Sequence, residues 1–160
     1  MVVIRSNVNE KNPKCIMLLI WLISLTWGLL LSACGIITMV VLCCKRYKPK
    51  RYKGFLYFEV GEKWGGINLG PIFVVNKNPS EHILNHEMGH GIQNMVFGPL
   101  FPVLIGIPSV TRARWRQWIY VRDYARYLKL KKYENIWFEK QATKWGMYFA
   151  ERFKEFYDFM

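Results

Sequence analysis

The longest apolar stretch of the chain lies near its N-terminus. Residues 15–44 carry no charge over thirty positions, and about twenty apolar residues are enough to cross a bilayer as a helix. The pattern predicts one transmembrane helix at 15–44, preceded by an N-terminal tail at 1–14. The alternative is a cleaved signal peptide, since residues 31–35 resemble a lipoprotein cleavage box, but the apolar run continues past Cys34.

The next apolar positions favour β structure. Residues 55–61 are aromatic and apolar, and a Gly-Gly turn signal precedes a second apolar run at 67–75. Proline cannot donate to a ladder, so Pro71 suggests a bulge or an edge strand. We expect an antiparallel hairpin over 55–75.

A helix is predicted to follow from about 79 to about 97. Asn78 fits the N-cap, Pro79 the first helical position and Glu81 the third, which completes a capping box. Its inward face carries polar groups that need partners, namely His86, Glu87, His90 and Asn94.

Three elements complete the domain expected at 55–160. Residues 95–110 are uncharged and contain three prolines, which predicts a re-entrant, interfacial or buried loop. Residues 111–133 indicate a basic helix interleaved with aromatic residues. Residues 134–158 form a last predicted helix, whose apolar stripe includes one carboxylate, Glu139. The fold class expected is therefore α+β behind one membrane helix.

The net charge of +12 is concentrated in two blocks. The segment 45–54, expected to be a juxtamembrane linker, contains six Lys and Arg, and the second block lies at 112–132. Cationic, aromatic helices suit anionic lipid headgroups or nucleic acid, and the apolar segment favours lipid. The residues expected at the membrane surface are Arg112, Arg114, Trp115, Arg116 and Trp118.

Charge also predicts the orientation of the chain. More Lys and Arg follow residues 15–44 than precede them, which favours a single-pass protein with its domain on the cytoplasmic side. All four cysteines lie within or at the ends of 15–44, so neither a disulfide framework nor a cysteine metal site is indicated. The oligomeric state is left open.

The pentapeptide H-E-M-G-H at 86–90 carries the candidate chemistry. On a helix, His86 and His90 lie on one face and can reach the same metal ion. Glu87 lies beside the first ligand, where it can hold a water molecule and accept its proton. A catalytic zinc needs a third protein ligand, and Glu139 is the best candidate by its helical face. Glu134, Asp123 and Glu151 are the alternatives.

H-E-x-x-H followed by a later helix with E-x-x-A-D resembles the gluzincins, the zincin metallopeptidases with a glutamate ligand. The matching residues here are H-E-M-G-H at 86–90 and E-K-Q-A-T at 139–143. The resemblance implies that His86, His90 and Glu139 bind one Zn²⁺ and that Glu87 is the catalytic base. Thr143 stands where the family has an aspartate that orients a ligand histidine, and either Thr143 or Asp123 could take that role.

Residues 55–146 also look like a group of small, uncharacterised bacterial membrane proteins with the same motif. In zincins an edge strand pairs with an extended peptide, so Ile67, Asn68 and Leu69 are expected to bind a peptide or protein substrate. Together the resemblances imply a membrane-anchored zinc metallopeptidase. The alternative is a non-catalytic module that binds metal or anionic lipid.

Overall fold

The computed structural model of the protein describes residues 14–62 and 64–158. The predicted tail at 1–14 lies outside these residues except for Lys14. The described chain is an α+β fold, mostly helical, with one four-stranded mixed sheet. Its elements are α1 Lys14–Thr26, α2 Leu29–Cys44, β1 Lys50–Tyr52, β2 Phe55–Glu59, β3 Gly66–Leu69, β4 Ile72–Val75, α3 Glu81–Phe97, α4 Ile107–Arg122, α5 Tyr124–Lys129 and α6 Trp137–Asp158.

The sheet has the strand order β1-β2-β4-β3. β3 and β4 form a tight antiparallel hairpin, whereas β2 and β4 are parallel, with Leu56 opposite Ile72. The prediction of one antiparallel hairpin over 55–75 is therefore wrong. Gly70 has a φ of +82°, which lets the chain reverse with Pro71 in the middle of the second apolar run. This turn inserts β4 between β2 and β3 and leaves β3 at an edge.

The basic segment 45–54 is more than a linker. Its residues Lys50–Tyr52 form β1, which pairs antiparallel with β2 at the other edge of the sheet. Both edges of the sheet are thus made by short strands of three and four residues.

Helices cover both faces of the sheet. Ile72 and Val74 of β4 are buried in a cluster with Leu42 of α2, and the alternate residues Phe73 and Val75 are buried in a cluster with Met88 of α3. All four positions of β4 are buried, as expected for a central strand covered on two sides. One face of the sheet therefore packs against α3 and fixes the position of this helix.

The N-terminal apolar stretch is two helices and not one. α1 and α2 meet at a bend of 109°, which corrects the single helix expected at 15–44. Gly28 at the bend packs directly against Asn94 of α3, whose side-chain amide donates to the Gly28 carbonyl at 3.3 Å. Among the described residues no single helix is long and apolar enough to cross a membrane, while two bent helix pairs pass that test by length and composition.

The site-bearing helix α3 begins two residues later than predicted. Ser80 is its N-cap, and the Ser80 hydroxyl accepts a hydrogen bond from the backbone N–H of Ile83 at 3.3 Å. Asn78, the predicted cap, has a φ of +52° and lies in the preceding turn, since a cap residue adopts an extended backbone. The helix ends at Phe97, as expected.

The uncharged segment 95–110 is helical, so the loop conformation predicted for it is wrong, while the bent helix pair that contains it passes as a re-entrant segment by length and composition. A 3₁₀ turn spans Gly98–Leu100 and a π-helical turn spans Pro102–Gly106, after which α4 begins. Each of its prolines occupies the first or second position of a helical segment, where a missing N–H leaves no hydrogen bond unmade. The chain turns by 117° between the α3 and α4 arms.

The predicted basic helix at 111–133 is interrupted at Asp123, which ends α4 and caps α5. The last helix begins at Trp137, after a 3₁₀ turn at Tyr133–Asn135. Its predicted inward stripe is confirmed where side chains are described, since Glu139, Ala142, Ala150 and Phe153 are buried.

Candidate metal centre

The centre lies where α3 crosses α6. A Cβ added at Gly89 of α3 would overlap the carbonyl of Ala142, and one added at Gly146 of α6 would overlap the carbonyl of Asn85. Two glycines at the crossing therefore let the helix backbones touch. This close approach brings the H-E-M-G-H face of α3 against the buried stripe of α6.

Three side chains converge at this crossing. Glu139 Oε2 lies 3.1 Å from His86 Nε2 and 3.2 Å from His90 Nε2. The candidate ligand atoms all lie within 4.8 Å of one another, and Glu139 is only 1% exposed. His86, His90 and Glu139 thus form a possible site for one metal ion.

The far side of the His86 ring is held by Thr143. The Thr143 hydroxyl donates to the Glu139 carbonyl one turn earlier at 3.1 Å, so its oxygen is free to accept from His86 Nδ1, 2.9 Å away. This arrangement assigns the ring proton to Nδ1 and leaves the Nε2 lone pair facing the centre. Thr143 therefore contacts the ring of His86 and fixes its orientation.

The far side of the His90 ring is held by Gln93, which sequence reasoning missed. The Gln93 amide nitrogen donates to the Phe138 carbonyl and to Gln141 Oε1, both at 2.9 Å. Its oxygen is thereby turned toward His90 Nδ1 at 2.8 Å. Gln93 is fully buried. Its position three residues after His90, on the same helical face, was the signal that could have identified it.

These hydrogen bonds leave three acceptors pointing at each other. With both rings protonated at Nδ1, the two Nε2 lone pairs and Glu139 Oε2 face one point, and such groups repel unless protons or a cation lie between them. Two imidazoles and one carboxylate suit a zinc ion and leave a coordination position open. The residues present therefore fit a single bound Zn²⁺.

The second oxygen of Glu139 is also engaged, by a residue that the sequence did not indicate. Ser109 at the start of α4 donates to Glu139 Oε1 at 2.6 Å. Tyr133 in turn contacts Ser109, with its hydroxyl 2.8 Å from the serine hydroxyl and 3.0 Å from the serine carbonyl. This contact fixes the carboxylate so that Oε2 faces the histidines.

Burial and charge shift the acidity of the site in opposite directions at two carboxyl groups. In the metal-free protein, where protons lie between the three groups, burial alone would raise the pKa of Glu139, but the hydrogen bonds that protonated His86 and His90 donate outweigh it and hold that pKa well below its usual range. At Glu87 burial dominates, and the pKa is raised above its ordinary value although both histidines oppose the shift. One carboxylate is kept charged, and the other is a better proton acceptor.

Glu87 lies beneath the edge strand β3. A Cβ at Gly66 would meet Glu87 Oε1 at 2.6 Å, so the absence of a side chain at Gly66 lets the strand and the carboxylate approach this closely. Asn68 ties the strand to the helix, since its amide donates to the Glu87 carbonyl at 2.9 Å and to the Gly70 carbonyl at 3.2 Å. β3 is thus fixed directly over the candidate base.

Asp123, the other residue proposed to orient a histidine, lies elsewhere. Its exposed side chain accepts a hydrogen bond from the backbone N–H of Arg126 at 2.9 Å and caps α5. The structure brings Thr143 and not Asp123 to the centre.

The residues expected at a membrane surface lie on α4. Arg112 stacks on Trp115, with the guanidinium 4.6 Å from the ring centre. Arg116 Nη1 donates to the Lys131 carbonyl at 2.7 Å, which ties α4 to the segment after α5. Arg114 and Trp118 are exposed.

No protein-family model matches the chain, and comparisons with curated proteins and with solved structures also find no match. The likeness to gluzincins therefore rests on the geometry of His86, His90 and Glu139 within the α+β fold. This geometry is consistent with a zincin.

Proposed function

We propose that this protein is a zinc-dependent metallopeptidase that acts at a membrane surface. The observation that carries the proposal is the convergence of His86, His90 and Glu139 beside a buried Glu87 and under an edge strand. Three metal ligands alone are compatible with a structural metal site or with metal storage. An adjacent base and a place for an extended chain are what a hydrolase adds to it.

Glu87 is the proposed general base. Its side chain follows His86 on α3 and lies under Gly66, with a pKa raised first of all by burial. A carboxylate of raised pKa accepts a proton from water more readily near neutral pH and can pass it to the leaving amine. Bound zinc would supply the Lewis acidity that polarises the scissile carbonyl and acidifies the attacking water.

The edge strand β3 is the proposed binding site for the peptide. In its pairing with β4, Leu69 lies opposite Ile72 across the two-residue turn, and Asn76 N–H donates to the Gly65 carbonyl at 2.9 Å. Alternation along the strand then turns the backbone groups of Gly66 and Asn68 outward. An extended substrate can pair with these groups and pass over Glu87.

A metal-binding module without catalysis is the second candidate. Thr143 favours it, because a hydroxyl polarises a ligand histidine less strongly than a carboxylate does. The two candidates make the same prediction for metal content and opposite predictions for turnover.

The decisive comparison is Glu87→Gln against Glu81→Gln, an exposed acid at the start of the same helix. We expect both variants to keep parental zinc. Only Glu87→Gln should lose cleavage of a fluorescence-quenched peptide library, by roughly 100-fold or more. A Glu87→Gln protein as active as the parent, or zinc-loaded parent that cleaves nothing, would refute the peptidase and leave the metal module.

A further inference from the structure

We propose that the α1–α2 bend and the α3–α4 bend together form one apolar wedge that inserts into a single leaflet of an anionic lipid bilayer. The wedge enters and leaves the membrane on the same side. Residue 14 and the metal centre then share that side. The proposal concerns attachment and does not depend on catalysis.

Each bend lies at the middle of a stretch without Asp, Glu, Lys or Arg. The first stretch is 15–44 and bends at Trp27 and Gly28, while the second is 88–111 and bends at 98–101. A chain that dips into hydrocarbon and returns needs its turn halfway along its uncharged length, so that charges reach water at both ends. Both pairs meet that requirement.

The two bends are joined to each other. Trp27 Nε1 donates to the Val96 carbonyl, and the Asn94 amide donates to the Gly28 carbonyl, each at 3.3 Å. Gly98 lies so close to the Trp27 ring that a Cβ there would overlap it. The bends therefore form one tip.

Side chains supply the hydrogen bonds that a helix loses where it bends. The Ser32 hydroxyl contacts the Ser24 and Gly28 carbonyls at 2.8 and 2.9 Å, and Thr26 donates to the Leu22 carbonyl at 2.7 Å. Carbonyls that water does not reach need protein donors, and hydrocarbon surroundings impose the same requirement. The carbonyls of Leu22, Ser24 and Gly28 meet it.

The outer surface of the tip is apolar and exposed. Exposure ranges from 44% at Leu104 to 64% at Val103. The other large side chains of this surface are Trp27, Leu29, Leu30 and Leu100. A patch of this kind on a folded chain marks an interaction surface.

The arms of the wedge are long enough for one leaflet, and their reach sets an upper limit on the depth of insertion. α1 and α2 contain 13 and 16 residues, or about 20 and 24 Å at about 1.5 Å per residue. With a turn of 109°, each arm is inclined by about 35° to the wedge axis, so the arms reach roughly 16–20 Å deep, against about 15 Å for half of a hydrocarbon core.

The charged residues at the ends of three of the four arms fit an anionic headgroup layer, whereas the α3 arm begins at Glu81. Lys14 begins α1, the block 45–53 follows α2, and Arg112 is the first charge after the second bend. Cations at this level attract acidic lipids. His90 lies eight residues before Gly98 on α3, about 12 Å along the helix, so the metal centre lies within about 12 Å of the tip of the wedge.

Three cysteines of the chain itself can test this topology. Cys15 lies at the start of α1, Cys43 at the end of α2 and Cys34 between them, and all are free and exposed. Proteins that keep one of them, with the others changed to serine, would be treated with a membrane-impermeant maleimide in right-side-out and inside-out bacterial membrane vesicles. We expect Cys15 and Cys43 to react in the same preparation, and Cys34 only after detergent.

Labelling of Cys15 and Cys43 in opposite preparations would mean a spanning segment and would overturn the wedge. Recovery of the protein outside the membrane fraction, with Cys34 reactive or protected only by a second copy of the chain, would overturn it as well. Parental zinc content in each variant and full labelling in detergent control for folding.

A matched pair of substitutions tests the lipid contact itself. Leu104 on the tip and Met147 on α6 are 44% and 46% exposed. Leu104→Glu should reduce binding to phosphatidylcholine–phosphatidylglycerol vesicles by at least about tenfold, since a charge in hydrocarbon is costly, and Met147→Glu by less than about twofold. Equal effects of the two substitutions would contradict insertion of the tip.

Discussion

The metal centre and the joined bends are both clusters of buried polar groups, but they use hydrogen bonds in opposite ways. At the bends, Ser32 and Asn94 donate hydrogen bonds to backbone carbonyls. At the centre, Thr143 and Gln93 accept hydrogen bonds from two histidines, and three acceptors are left facing one point. Converging acceptors indicate a site for a cation, whereas donors spread along a backbone indicate a structural joint.

Two buried side-chain atoms at the bends make no hydrogen bond, and they do not change this contrast. Asn94 Oδ1 and Ser24 Oγ have no hydrogen-bond partner among the described residues. Each is a single atom without a second ligand group, whereas the candidate ligand atoms of the centre lie within 4.8 Å of each other. Convergence, and not burial or an unmade bond, distinguishes the two regions.

The largest expected effect comes from the helix crossing that assembles the centre. Gly89→Ala would place a Cβ against the Ala142 carbonyl and should lower the free energy of unfolding by about 3 kcal/mol or more, although alanine favours helices. Chemical denaturation measures this loss, and zinc affinity should fall with it because α6 carries Glu139. Gly106→Ala, whose nearest atoms lie at 3.8 Å, is the control and should change little.

Removal of the groups behind the histidines should weaken the metal site without unfolding the protein. Thr143→Val and Gln93→Leu each take away the acceptor that fixes a ring, and zinc affinity measured by chelator competition should fall by about 10- to 100-fold. Thr143→Asp should restore or exceed parental affinity. Unchanged affinity in Thr143→Val would show that the ring is held by other contacts.

Removal of a hydrogen-bond donor at the bends should lower stability and leave zinc affinity unchanged. Ser32→Ala removes a donor from the Gly28 and Ser24 carbonyls and should cost about 1 kcal/mol of stability in detergent. Zinc affinity should stay at the parental value. A loss of zinc in this variant as large as that in Thr143→Val would remove the distinction between site and joint.

The smallest expected effect is a pH dependence of the metal-free protein. Burial opposes a charge on His90, but Glu139 and Glu87 outweigh it, so the pKa of His90 lies above its ordinary 6.5. The stabilisation that charged His90 gains from these two carboxylates is present below pH 6.5. It is lost as pH rises through the pKa of His90 in the folded protein. The raised pKa of Glu87 acts in the same direction.

Thermal unfolding without metal should therefore occur a few degrees lower at pH 8 than at pH 6. At the acid end, the lowered pKa of Glu139 means that its contribution is present above its ordinary 4.5 and is lost as pH falls. Zinc-loaded protein should show the opposite trend between pH 6 and 8, because zinc competes with protons for the same ligands. The same slope with and without zinc would contradict this assignment.

The sequence predicted the contents of the centre better than the shape of the chain around it. His86, His90 and Glu139 were identified by helical periodicity, which is local and survives any packing. Gln93 could have been found by the same spacing. Ser109 could not, because it approaches Glu139 only through the fold of α4 against α6, which no local pattern encodes.

The bends were not predicted, because amino-acid composition does not indicate where a helix changes direction. Residues 15–44 are apolar enough for a straight helix, and the turn at Gly28 depends on Asn94, 66 residues away. The turn at Gly70 likewise gave β4 a parallel partner that alternation of apolar residues did not predict. A long-range contact accompanies the first turn, whereas the second is a local Gly-Pro turn that the sequence suggested only as a bulge or an edge strand.

The central claim is that His86, His90 and Glu139 hold one metal ion. Metal analysis of detergent-purified parent, His86→Ala and Glu139→Ala tests it most directly. The account predicts about one equivalent of zinc in the parent and less than about a tenth in either variant, with all three folded. A parent without metal, or Glu139→Ala with parental metal content, would contradict it.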